Sequence, residues 1–154
     1  MGVTIFKPNK SKLSLNLFYR NFHPQESTSA KAETLDMLLI NCTYDVEPVV
    51  LFESVEESKM VVEEDTILML NVNTLGYDEK DGQSASCQDF VVIKRVNGEL
   101  KIIDSSRLTF YFSSNKLKVN IGVNTELNTF EVKVQGNENK MKWVSYVTGV
   151  CITL

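Results

Sequence analysis

Apolar and polar residues alternate with a period of two through most of this chain. That pattern constrains the fold more than any other feature, because only a strand sends every second side chain to the same face. Leu13, Leu15, Leu17 and Tyr19 alternate with Ser14, Asn16 and Phe18, and Leu117, Val119, Ile121 and Val123 with Lys118, Asn120 and Gly122. Phe130, Val132 and Val134 do the same with Glu131, Lys133 and Gln135. No stretch of helical periodicity reaches the length of an ordinary capped helix. The expected fold is therefore all-β: an antiparallel β-sandwich of about 8–10 strands forming a single domain over residues 1–154, with a closed β-barrel as the alternative. At most one short helix is expected, over Val55 to Val62, because Ser54-Val55-Glu56-Glu57 has the form of a capping box.

The strand reading becomes specific at FVVIKRVNGELKIID, Phe90 to Asp104. Asn97-Gly98 is the dipeptide selected by a two-residue turn that needs positive φ at both central positions, so a hairpin is expected there. Counting outward pairs Val96 with Glu99, Arg95 with Leu100, Lys94 with Lys101 and Ile93 with Ile102. A second hairpin is expected where Ser113-Ser114-Asn115 follows LTFYF. Gly76 to Ser86 reads as a long polar loop. Leu35 to Tyr44 and Thr66 to Val72 are apolar on both faces, as in central strands covered on both sides or strands crossing a thick core. The closing MKWVSYVTGVCITL reads either as a strand paired to its end or as the cut end of a longer chain.

Placing Lys94 opposite Lys101 costs a few tenths of a kcal/mol unless water or a partner separates the two charges. The charge map gives this pairing a context. Residues 26–89 carry a net charge of −12 and the rest of the chain +8, within an overall −4. The basic tip of the hairpin either projects into solvent, balanced by the acidic segment of its own chain, or meets an acidic surface on another molecule, such as a second copy. The latter reading makes Lys94, Arg95 and Lys101 partner-binding residues. Phe18 and Tyr111, on the polar sides of their strands, are candidate exposed aromatic contacts, the alternative being a second core layer.

The opening TIFKPNKSKLSLNLFYRNF resembles the start of an arrestin, with Phe6, Lys7, Arg20, Asn21 and Phe22 at the matching places. The likeness covers about nineteen residues and ends at His23, and the chain is too short for two arrestin domains. FVVIKRVNGELKIID resembles a strand pair of the α+β cones of nuclear-transport-factor type, a fold that would require long N-terminal helices.

Few chemistries find their residues here. His23 is the only histidine and precedes Pro24, which excludes three-histidine zinc sites, and no Cys-x-x-Cys spacing occurs. In DEKDG, Lys80 stands where a calcium loop needs a ligand among Asp78, Glu79 and Asp81. No phosphate loop, nucleophile elbow or dinucleotide fingerprint is present. No metal, cofactor or nucleic-acid partner is expected, and no apolar run is long enough to span a membrane. Cys42, Cys87 and Cys151 are an odd number, and the N-terminus lacks the apolar core of a signal peptide, so an intracellular, reducing setting is expected. Cys42 and Cys151 are expected as buried free thiols. Asn9-Lys10-Ser11 and Asn41-Cys42-Thr43 match the glycosylation acceptor pattern. The functional expectation is a non-enzymatic protein-binding or assembly module working through a protein partner or self-association. A capsid-like component of a larger particle, and a small-ligand carrier or an enzyme using acidic residues, are the alternatives.

Overall fold

The computed structural model describes residues 31–53 and 59–154. These form ten strands in two antiparallel sheets, neither closed into a barrel, in the arrangement of a β-sandwich. No helix occurs among the described residues. In chain order the strands are β1 Lys31–Thr43, β2 Val49–Val50, β3 Phe52–Glu53, β4 Met60–Val61 and β5 Thr66–Asp78. β6 Ser84–Val96, β7 Glu99–Phe112, β8 Lys118–Asn124, β9 Thr129–Gln135 and β10 Met141–Thr153 follow. The large sheet has the order β3-β1-β10-β5-β6-β7. In the small sheet β9 pairs with β8 along one edge and with β2 and β4 along the other.

Alternation sorts the side chains as the sequence implies. In β5 the even-numbered residues Thr66, Leu68, Leu70 and Val72 are buried, and in β9 Phe130, Val132 and Val134 face them from the other layer as part of the same core. Burying such side chains contributes about 1.5–3 kcal/mol each. Trp143 of β10 is the largest fully buried side chain, and its indole N–H donates to Thr43 Oγ1 at 3.0 Å. Gly76 lies directly across the pairing from Trp143, and a Cβ there would sit 2.4 Å from the ring, so the indole occupies the space a side chain would need. Arg107 ties the layers together. It grips Asp89 with two hydrogen bonds of 2.7 and 3.0 Å and donates a third, of 2.7 Å, to the Val119 carbonyl in β8.

Several expectations need correction. Met60–Val61 is a strand paired with Phe130 and Thr129, so no helix runs to Val62; Val55 to Ser58 lie outside the described residues. Ser113-Ser114-Asn115 does not close a hairpin, because β7 belongs to the large sheet and β8 to the small one. The turn carries the chain between layers, with Ser113 held to Ser84 by two bonds of 2.9 Å and Leu117 delivered into the core. Gly76 to Ser86 is a hairpin with a short turn, since β5 continues to Asp78 and β6 begins at Ser84. The signal misread there was Gly76, which is present to admit Trp143. The closing strand pairs along both edges as far as Thr153, with β1 and β5. The strand expected over Leu13 to Tyr19, the arrestin-like opening and His23 lie outside the described residues.

Candidate functional site

The hairpin at Asn97-Gly98 has the register that counting from the turn gives, and both turn residues have positive φ, 55° and 77°. Lys94 and Lys101 are paired and share a face of the large sheet. Arg95 points to the opposite face, as a strand requires of a neighbour. Its Nη1 donates to the Val62 carbonyl at 2.6 Å, and its Nε lies 3.1 Å from Glu64 Oε2 as an ion pair without hydrogen-bond alignment. Glu64 also accepts from the Gly98 N–H at 2.8 Å. The three basic residues are thus divided: Arg95 braces the hairpin against the acidic segment, while Lys101 reaches only its exposed neighbour Glu99, at 3.1 Å.

Tyr111 is exposed and stands opposite Ser86 on the face that carries Lys94 and Lys101. Phe18 lies outside the described residues. The cysteines are free but are not distributed as expected, since Cys87 is the buried thiol and Cys42 and Cys151 are half-buried. Cys42 faces away from the core in β1, while Cys151 approaches the core near the end of its sheet. Burial above all pushes the Cys87 thiol up to about 11 and raises Cys151 as well. The Asn41 amide is committed to the Val50 carbonyl and to the Cys42 N–H, at 2.8 and 2.7 Å, which leaves that acceptor motif inside the sheet.

The feature that stands out is the outer face of the large sheet, turned away from the small one. The strand registers place its residues in rows across the sheet. At the hairpin-tip end, Ile152, Ile67, Lys94 and Lys101 form one row, and Val150, Met69, Val92 and Asp104 the next. A more polar belt follows, with Asp36, Thr148, Asn71 and Phe90 in one row and Tyr146, Asn73 and Gln88, flanked by Leu38 and Leu108, in the next. Gln88 donates to Asn71 at 2.8 Å, and the bond from the Tyr146 hydroxyl to the Asp36 carboxylate, more than burial, raises the Tyr146 phenol. Beyond the belt, Phe52, Ile40, Val144 and Leu75 make a second apolar zone, followed by Tyr77 and by Lys142, whose ammonium is paired with Glu79.

Among the described residues nothing covers this face: Leu75 is 55% exposed, Tyr77 53%, Met69 43% and Tyr146 43%. Among the described residues, then, β1 and β5 are covered on one side rather than on both. Within the second apolar zone lies an open groove of about 730 Å³, walled by Leu38, Ile40, Phe52, Leu75, Tyr77 and Val144, with Cys42 and Tyr44 at its margin. Lys140 stacks over the Tyr44 ring at 5.6 Å. Large contiguous apolar patches are uncommon on the surfaces of monomeric proteins. Period-two reading of the apolar runs contained the signal, since Met69, Leu75 and Val144 alternate with core residues of the same strands.

Among the described residues no group of three or more His, Cys, Asp or Glu side chains is arranged to hold a metal ion, and no helix is long and apolar enough to cross a membrane. Asp78, considered for calcium, spends its carboxylate within the fold, accepting from the Asn137 and Asn139 amides at 2.9 and 3.0 Å and from the Lys80 N–H at 2.8 Å.

No protein-family model matches the chain, and no curated protein does. Among solved structures, a tailspike protein gp49 from Acinetobacter baumannii bacteriophage Fri1, a capsular polysaccharide depolymerase, is similar over 96% of this chain and 23% of its own length, with a TM-score of 0.43 and 13% identity. A likeness so slight carries no argument about what this chain does.

Proposed function

We propose that the protein is a non-enzymatic binding or assembly module whose contact surface is the outer face of the six-stranded sheet. The observation that carries this reading is the open apolar surface on both sides of the polar belt, with Met69, Leu75, Tyr77 and Tyr146 exposed on strands that are otherwise well buried. Leaving such side chains in water forgoes about 25 cal/mol for each Å² that a partner would cover. Lys94, Lys101 and Tyr111 border this surface and act as its rim, while Arg95 belongs to the fold beneath.

The test is whether the face is open and apolar in solution. As a monomer the native protein should enhance the fluorescence of anilinonaphthalene sulfonate, and Leu75→Asp should abolish most of that enhancement while costing less than about 1 kcal/mol of stability, the side chain being exposed. Monomeric protein that leaves the dye dark would remove the basis of the reading. The groove favours one further reading, a carrier of a small apolar ligand, because its volume falls in the range of ligand pockets. A saturable one-to-one isotherm with dodecanoate would select that function.

A further inference from the structure

We infer that the occupant of the outer face is a second copy of this chain, laid face to face about a two-fold axis that runs across the strands. This rests on the reading of that face as the contact surface and adds a partner and a register to it. Size is the first argument. The long strands β1, β10, β5, β6 and β7 span 13 or 14 residues each. At a spacing of about 4.8 Å and a rise of about 3.3 Å per residue they present a face of roughly 1,000 Å². A stable interface takes about 800 Å² from each partner. The face alone suffices.

Self-complementarity is the second argument, and it selects the axis. A closed pair must match each row with a row of the same face. An axis along the strands through β5 would lay the hairpin tip over the same end of β10 and β1, setting Lys94 against the partner's Ile152 and Lys101 against the partner's Ala32. The Lys94 ammonium would then be desolvated without a counter-charge, whereas Lys101 keeps Glu99. An axis across the strands reverses the rows instead. It sets Met69 over the partner's Leu75 and Val150 over the partner's Val144, and in the belt Asn71 over the partner's Asn73 and Thr148 over the partner's Tyr146. Asp36, bonded to Tyr146 of its own chain, falls over the partner's Leu38, and Lys142, paired with Glu79, over the partner's Ile152. The β6 end that carries Lys94 then lies over the β5–β6 turn, bringing Lys94 toward the partner's Glu79. Lys94 has no ion pair of its own among the described residues. Glu79 is held at the rim of that same face by Lys142. The Lys94 ammonium at one end, the Glu79 carboxylate at the other and the apolar zones on either side of the belt are what make the face complementary to its own reverse.

Sedimentation equilibrium of the full chain over a concentration series tests this. A reversible species of twice the 17.4 kDa chain mass is expected. Met69→Lys and Leu75→Asp alone should each weaken it at least tenfold. The double variant, in which each new charge faces its opposite on the partner, should recover at least tenfold over either single change, with all variants keeping the wild-type unfolding midpoint within a few degrees. A wild-type monomer at every concentration overturns the inference, as does a dimer indifferent to Met69→Lys or a folded double variant that fails to recover. The parent reading fails separately. A monomer that still binds the dye keeps an open face whose occupant is something other than a second copy, whereas a monomer that leaves the dye dark has no such face.

Discussion

Arg95 and Lys101 lie six residues apart on one hairpin and should behave in opposite ways when replaced. Arg95→Met removes the donor to the Val62 carbonyl and the counter-charge of Glu64, so it should cost about 1–3 kcal/mol in urea unfolding. Lys101→Glu trades an exposed pair with Glu99 for an attraction to Lys94 across the turn, and should change stability by less than about half a kcal/mol. The division was legible in the sequence, because adjacent strand residues point to opposite faces, yet counting the three charges as one cluster concealed it. What could not be read was the counter-ion: Glu64 lies 31 positions earlier, and only the fold brings it to Arg95. The thiols follow the same logic. Cys87, with its proton held to about pH 11 by burial, should react with maleimide at pH 8 only after unfolding, whereas Cys42 should react in the native protein.

Strands and turns show where sequence patterns suffice and where they do not. Asn97-Gly98 fixes both turn type and register, so every pair near that turn was readable. Gly76 and Gly82 misled because a glycine marks either a turn or a close approach, and only Gly82, at φ +68°, is the former. Gly76→Ala should cost about 2–3 kcal/mol, since the Trp143 ring lies 2.4–2.8 Å from the new methyl group and is itself fully enclosed. The turn between β5 and β6 also carries a pH dependence. The Asn137 amide, with Asn139 and the Lys80 and Asp81 N–H groups, outweighs burial and lowers Asp78 to about 2. An unfolded aspartate titrates near pH 3.9. With the folded value depressed, this contribution is complete above about pH 4 and is lost as pH falls toward 2. Denaturant midpoints for wild type and Asn137→Ala should therefore converge across that window.

At the scale of the whole molecule, the layering follows from alternation, but the partnership of the layers does not. Leu35 to Tyr44 and Thr66 to Val72 carry apolar residues on both sides, and nothing in their periodicity says which side the small sheet takes. The choice depends on how β2 runs straight into β3, which carries five residues from one sheet to the other through the buried Leu51. That crossing puts the small sheet on the side away from Met69 and Leu75. The position of β10 has a consequence in time. It sits between β1 and β5, so Lys31 finds Thr153 only after nearly the whole described chain has been made, and until then β1 and the β5-β6-β7 meander have no shared edge. Closing contacts so distant in sequence is slow. Refolding should thus show the meander protected from amide exchange early, with β1 and β10 gaining protection together in a single later phase.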